Sequence, residues 1–581
     1  MPSSFCKGIQ LFFHRDLGTS PTLTEDPPSR QRNFMIIYLR KPWRCESSLL
    51  LKNGFIEVRR YDENMTNRFF ALILLLGLAN WTLAVPPLQP ATKPAVEPTS
   101  KETKPDAHGD DKLSITHHEI KTAGQTLKYE ATAGTMAMKD EAGKARANFF
   151  FVAYRKESGD NFDPAKRPIT FVFNGGPGAA AVWLHLGAVG PKSMKLDDAG
   201  VPTGPPHALI DNPNTWLDAT DMVLIDPVNT GYSRAAEGVK PEEFFGVDRD
   251  VQTVGEFIRL YLTRYDRWLS PKFLAGESYG TTRAAGLSEH LLNHGIDLNG
   301  IIFISSVLDF ATISQGGSND LPYILFLPSF TSTAAHHKKL DAELMKDRSK
   351  TQAEVQNWAV TEYASALARG DTLKGDERAA VVKKLARFTS LSEDIVDKTN
   401  LRIAPSYFEK QLLGDGRRIV GRFDARLIGV DPQPLSEDPA FDPSFSYYLP
   451  AYTSTMTAYA RHVLKFESDL PYESLAGGRV QPWSFGREGQ GFLDVATTLA
   501  RAMRENPKMK VMFASGYTDL ATPYFATDYT ISHMNLSADL RKNVSRAMYE
   551  GGHMMYHVRE SLEKLHADVA GFIGAALPVG E

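Results

Sequence analysis

A serine stands between two glycines in Gly276-Glu277-Ser278-Tyr279-Gly280, directly after the apolar run Lys272–Ala275 and before a helix-like stretch from Thr282 to Leu292. A hydroxyl in that setting reads as a nucleophile on a sharp strand-to-helix turn. Its neighbours must be small for the chain to turn, and its oxygen is pushed out at the carboxyl edge of a sheet. A hydroxyl alone is a weak nucleophile, so the chemistry calls for a base and for a group that orients the base. Gly551-Gly552-His553 follows the short run Val544–Tyr549, and Gly516-Tyr517-Thr518-Asp519 follows Lys510–Ala514. His553 would take the Ser278 proton, and Asp519 would fix its tautomer and stabilise the imidazolium. Asp528 is the alternative partner for His553.

A second loop completes the chemistry. Asn174-Gly175-Gly176-Pro177-Gly178 comes straight after the run Ile169–Phe173. Glycines there let the backbone approach a substrate and aim N–H groups at a developing oxyanion. The expected oxyanion donors are Gly176, from this loop, and Tyr279, the residue after the nucleophile. The chain order serine, acid, histidine is that of the α/β-hydrolases. Each residue lies past the end of a strand candidate, where open α/β sheets place their sites.

These residues need a sheet to hold them. Asn148–Tyr154, Ile169–Phe173, Met222–Ile225, Lys272–Ala275, Ile301–Ile304 and Lys510–Ala514 read as strands. Runs such as Ile169-Thr-Phe-Val-Phe are continuously apolar, as in strands covered on both faces. Helices are predicted over Arg249–Tyr265, Thr282–Asn293 and Gly491–Glu505. The alternation predicts an α/β-hydrolase fold: a mostly parallel central sheet with helices on both faces. Between about residues 315 and 485 the strands stop, and Thr351–Arg369 and Asp376–Phe388 read as amphipathic helices. This block is expected to be a helical cap inserted over the active-site edge, dividing the core into 112–314 and 486–581.

The 581 residues are 42% hydrophobic and 23% charged with a formal net charge of −4, so no basic field argues for nucleic acid. The segment 65–84 reads as a signal peptide: Met-Thr-Asn-Arg, an apolar run from Phe69 to Ala79, then a small-residue cleavage site ending at Ala84. Its apolar run is too short for a stable membrane span. Residues 1–64 read as an unpatterned upstream extension holding both cysteines, Cys6 and Cys45, so that translation would start at Met65. The mature chain from Val85 would then carry no cysteine, which fits an exported bacterial, periplasmic protein. Residues 85–111 read as a proline-rich tether.

The quoted residues resemble the serine carboxypeptidase family, peptidase family S10. Four landmarks carry the resemblance: Asn174–Gly178, Asp226-Pro227-Val228-Asn229-Thr230-Gly231-Tyr232-Ser233, Gly276–Tyr279 and Gly552-His553-Met554. The resemblance implies removal of C-terminal residues from peptides with a free C-terminus, through an acyl-enzyme on Ser278 and without a cofactor. It also implies that Asn174, Gly175 and Glu277 hold the terminal carboxylate. Two departures bear on this. Ala179-Ala180-Ala181 stands where the family usually has Cys-Ser-Ser, and Ala188 stands where it has a second acidic residue at the carboxylate site. The second departure weighs toward an esterase, amidase, acyltransferase or other peptidase on the same scaffold, and a catalytically inactive binding protein is the reading from another class. His553 and His557 are spaced for a metal but lack the accompanying glutamate. The pairs His117-His118 and His336-His337 read as surface features, and Asn535 and Asn543 as chance glycosylation patterns.

Overall fold

The structure, a computed structural model, describes residues 111–122, 124–157, 162–414, 417–486 and 491–577, and the backbone of three strands nearer the N-terminus. The chain divides into two units, Met1–Thr103 and Lys104–Glu581. In the first, Ile36–Leu39, Ser47–Lys52 and Phe55–Arg59 pair antiparallel in that order. Strands therefore occupy part of a segment whose sequence reads as unpatterned. The expected signal peptide, 65–84, and the proline-rich stretch to residue 110 lie outside the described residues.

The second unit is built on a ten-stranded sheet. Its main strands are β1 (Lys112–Thr122), β2 (Gln125–Lys139), β3 (Ala145–Lys156), β4 (Ile169–Phe173), β5 (Asp221–Ile225), β6 (Lys272–Glu277), β7 (Gly300–Ile304), β8 (Lys510–Gly516) and β9 (Val544–Tyr549). They lie side by side in the order β9-β8-β7-β6-β4-β5-β3-β2-β1. From β9 to β5 every pairing is parallel; β5 to β1 pair antiparallel. The parallel part carries the chemistry, because its carboxyl ends all open on one edge.

The apolar runs are continuous because each strand serves two cores. Ile169, Phe171 and Phe173 of β4 join one buried cluster, while Val172 points into the other. On the first face lie the helices α1 (Val247–Arg264), α2 (Tyr279–Asn293) and α5 (Ala496–Glu505). On the opposite face lie α4 (Pro443–His462) and α6 (Arg559–Ala576). Helix α5 begins at Ala496 rather than Gly491, and the Asp494 carboxylate accepts the Ala496 N–H at 2.8 Å.

A third apolar cluster belongs to the insertion. Phe326, Phe330 and Ala334 of α3 (Leu321–His336) pack with Trp358, Tyr363, Phe388 and Phe408. Two features differ from the sequence reading. Strands do not stop here: Arg418–Val420 and Ile428–Val430 form a small antiparallel hairpin. In addition, α4 lies within the expected cap range, yet its Tyr448, Tyr452, Met456 and Tyr459 pack into the core beneath the sheet. This segment thus contributes to the hydrolase core.

Candidate active site

The elbow is a strained turn. Ser278 has φ 60° and ψ −131°, a backbone conformation that costs a non-glycine residue of order 1–3 kcal/mol and is held by its surroundings. Its N–H donates to the Ile304 carbonyl at 3.0 Å, so the turn is pinned to the end of β7. A Cβ on Gly276 would stand 2.3 Å from the Gly280 carbonyl oxygen, which is why the flank must be glycine.

The glycine loop is locked against this turn. Asn174 Oδ1 accepts the Leu184 N–H at 3.0 Å, which orients the amide so that its Nδ2 donates to Glu277 Oε1 at 3.0 Å. The Asn174 carbonyl accepts from the buried Arg283 guanidinium at 2.6 Å, and Arg283 pairs with Asp250 of α1 at 2.8 Å. Asp250 also accepts from the Tyr279 hydroxyl at 3.1 Å. One charged group therefore fastens the loop to the elbow helix. A Cβ on Gly175 would lie 2.4 Å from the Tyr279 nitrogen, so at this position loop and elbow meet backbone to backbone. Gly176 and Tyr279, the two expected oxyanion donors, line one cavity with Ser278.

The acid and the histidine come from the loops after β8 and β9. His553 Nδ1 lies 2.8 Å from Asp519 Oδ2, and both side chains are buried. The second carboxylate oxygen, Oδ1, accepts the N–H groups of Ala521 at 2.7 Å and Thr522 at 2.9 Å. The Thr522 hydroxyl lies 2.8 Å from Asp519 Oδ2, and Ser305 Oγ donates to the His553 carbonyl at 2.7 Å. Burial by itself would depress the His553 pKa; the charge and hydrogen bond of Asp519, with the charge of Glu277, more than offset it, so His553 is held above its ordinary value of 6.5. His553 Nε2 is buried without a protein partner and faces the same cavity as Ser278. Asp528, the alternative acid, pairs instead with Arg546.

The cavity holds about 240 Å³. Its walls are largely aromatic and aliphatic, with Trp183, Phe310, Phe423, Phe445 and Phe485 among them. Its polar lining includes Glu277, which is 4% exposed. Glu277 Oε2 accepts from the Tyr556 hydroxyl at 2.7 Å. Burial raises the Glu277 pKa to about 7, against the lowering effects of His553 and of the Tyr556 hydrogen bond. Burial, reinforced by Glu277, keeps Tyr556 protonated throughout the physiological range, so it always has a hydrogen to donate.

Tyr556 escaped the sequence reading, although it stands three residues after His553. The signal was the short helical turn Met555–His557, which swings it back toward the elbow. Its ring sits against Gly187: a Cβ there would come within 2.4 Å of Tyr556 Cε2. The neighbouring Ala188 is fully buried in the turn His185–Val189. Arg422, Phe423, Thr522 and Ser305 were missed as well. His557 turns away from His553 and shares a 2.7 Å hydrogen bond with Tyr452. Among the described residues no group of three metal-ligating side chains occurs, and no helix is long and apolar enough to cross a membrane. His117 is surface-exposed and pairs with Glu157 at 2.8 Å, while His337 reaches the Ala425 carbonyl at 2.7 Å.

The sheet, its crossover helices and the elbow define an α/β-hydrolase. Residues 122–410, about half of the chain, match the sequence model of the family described as serine carboxypeptidase, Peptidase_S10. It is 28% identical to carboxypeptidase Y of Saccharomyces cerevisiae over 152 residues, which is 25% of either chain. It is 32% identical to a carboxypeptidase Y homolog of Arthroderma benhamiae over 151 residues, 26% of either chain. These alignments span about a quarter of the length of the curated relatives. The structure is similar to that of Kex1, a prohormone-processing carboxypeptidase from Saccharomyces cerevisiae, with a TM-score of 0.48 and 16% identity, covering 77% of this chain and 91% of the other.

Proposed function

We propose that the protein is a serine carboxypeptidase. The observation that carries this reading is the buried Glu277 carboxyl, which lines the cavity with Asn174, Ser278 and His553 and accepts hydrogen bonds from Asn174 Nδ2 and the Tyr556 hydroxyl. A carboxyl group held between two donors beside a nucleophile suits a ligand that ends in a carboxylate. Ser278 attacks the last peptide carbonyl, His553 takes its proton, and the N–H groups of Gly176 and Tyr279 receive the oxyanion. His553 then protonates the leaving amino acid, and water attacks the acyl-enzyme by the same route. Asn174, Gly175 and Glu277 hold the substrate's terminal carboxylate. Tyr556 takes the place of the family's second acid, missing at Ala188, as the hydrogen-bond partner of Glu277. A general esterase or amidase is the second reading, favoured by the one acid fewer beside Glu277.

The two readings separate by pH. A terminal carboxylate against Glu277 requires one shared proton. Glu277, with its pKa raised to about 7, supplies that proton at acidic pH and loses it as pH rises through this value. KM for a blocked dipeptide acid should therefore rise with pH above about 7, by up to about tenfold per pH unit, whereas KM for the matched amide stays flat. The acid limb is common to both: kcat/KM falls as pH drops through the raised His553 pKa, because the base becomes protonated. Glu277→Gln should abolish the KM rise. It should also move the acid limb to lower pH, since the Glu277 charge helps hold the His553 pKa up. Coincident KM profiles for acid and amide in the wild type would favour the esterase or amidase reading.

We also propose that the protein is exported, into a bacterial periplasm, after cleavage at Ala84. The support is the ordered leader from Met65 and the absence of cysteine beyond it. Terminal sequencing of the mature protein from its host should give Val85 first. Recovery of residues 1–64 in the active protein would refute this.

A further inference from the structure

Arg422 brings an unpaired guanidinium to the active-site cavity. It lines the cavity with Ser278, Glu277 and His553, and its side chain is exposed. Among the described residues it forms no ion pair, whereas the neighbouring Arg426 is taken up by Asp424 at 2.5 Å. Two acidic groups that act on this segment are Asp442 and Glu409. The Asp442 carboxylate accepts the N–H groups of Arg422 at 3.2 Å, Phe423 at 3.3 Å and Ser444 at 2.9 Å, and the Ser444 hydroxyl at 2.5 Å. Glu409 is fully buried, and burial raises its pKa against the lowering effect of the Arg422 charge.

The position of Arg422 is fixed with respect to the reacting groups. Its carbonyl accepts the Leu520 N–H at 3.0 Å, one residue from Asp519. The next carbonyl, of Phe423, accepts the His553 N–H at 2.6 Å, and Ala425 donates to the Thr518 carbonyl at 3.1 Å. Phe423 packs edge-on against the His553 ring at 5.0 Å, and the Arg422 guanidinium lies over the Phe423 ring at 5.3 Å. The insertion is thus stitched by backbone hydrogen bonds to the two loops that carry the acid and the histidine. A fixed positive charge here works against the imidazolium that must form on His553 during the reaction. That placement makes chemical sense if an anion from the substrate arrives to neutralise it.

We propose that Arg422 is a specificity-determining residue that binds a substrate carboxylate, either an acidic side chain flanking the scissile bond or, alongside Asn174, Gly175 and Glu277, the terminal α-carboxylate. The proposal rests on the reading of this cavity as a peptide-hydrolysing site. Guanidinium suits the task because its planar fork meets a carboxylate through two parallel hydrogen bonds.

Four blocked dipeptides test it: Phe-Leu acid, Phe-Leu amide, Glu-Leu amide and Phe-Glu amide, together with a blocked phenylalanine ethyl ester that carries no carboxylate. Arg422→Gln should raise KM about 10- to 100-fold for substrates whose carboxylate it holds, with the ester changed less than about twofold, and Arg422→Lys should restore part of the loss. A loss confined to Phe-Leu acid assigns the α-carboxylate; a loss confined to Glu-Leu or Phe-Glu amide assigns an acidic side chain. No loss on any carboxylate substrate, or an equal loss on all including the ester, overturns the proposal. If the wild type hydrolyses none of the five, the hydrolase reading fails on its own. Calorimetric binding of Phe-Leu acid, Glu-Leu amide and Phe-Glu amide to Ser278→Ala, with and without Arg422→Gln, then still decides whether Arg422 binds carboxylates.

Discussion

Ser278→Ala should lower kcat/KM on a blocked dipeptide by about a million-fold while leaving the urea unfolding midpoint unchanged. The size follows from the division of labour in such a site. Without the nucleophile, the base and its acid have nothing to activate, and what remains is the modest help of oriented donors and of binding. The fold should be indifferent because the substitution removes one hydroxyl from a half-buried turn and opens no core cavity. The strained backbone at φ 60° persists, since it is imposed by the Ser278–Ile304 hydrogen bond and by glycines on both sides. Active-site titration with a fluorophosphonate should label the wild type stoichiometrically and the variant not at all.

Asp519→Asn should lower kcat by about 10,000-fold with little change in KM. The geometry dictates how. Oδ1 of Asp519 accepts two backbone N–H groups, from Ala521 and Thr522, so an amide at this position must keep its oxygen there. Its NH₂ group then faces His553 Nδ1, 2.8 Å away in the wild type. His553 can meet that donor only by presenting a bare Nδ1, which places its hydrogen on Nε2. A base with its proton already on the working nitrogen cannot take one from Ser278. The defect is one of tautomer, so it should persist across the pH range rather than being relieved at high pH. Asp528→Asn is the control: its carboxylate serves Arg546, and activity should stay within about threefold of wild type.

Much of this site could be read from sequence because its key geometry is local. A serine between glycines after an apolar run encodes the elbow within five residues, and the Asn174–Gly178 loop needs only the strand before it. Asp519 was harder, since only the folded loops show which of two acids lies beside His553. Arg422 and Phe423 could not be read at all. They reach the histidine from about 130 positions away, in an insertion whose path depends on packing against α3 and α4. The two long antiparallel strands β1 and β2 also escaped. Lys112-Leu-Ser-Ile-Thr-His-His-Glu-Ile-Lys-Thr is an edge strand with mostly polar, exposed faces, and carries little apolar signal. The hairpin Arg418–Val420 and Ile428–Val430 is too short to register as a period.

The measurement that bears most directly on the whole account is release of free amino acid from a blocked dipeptide with a free C-terminus, beside its C-terminal amide, at pH 5 and pH 8. The account predicts that the acid is cleaved with the lower KM at pH 5, that this advantage shrinks at pH 8, and that Ser278→Ala releases nothing from either. Release that survives in Ser278→Ala, or an amide preferred over the acid at both pH values, would contradict it.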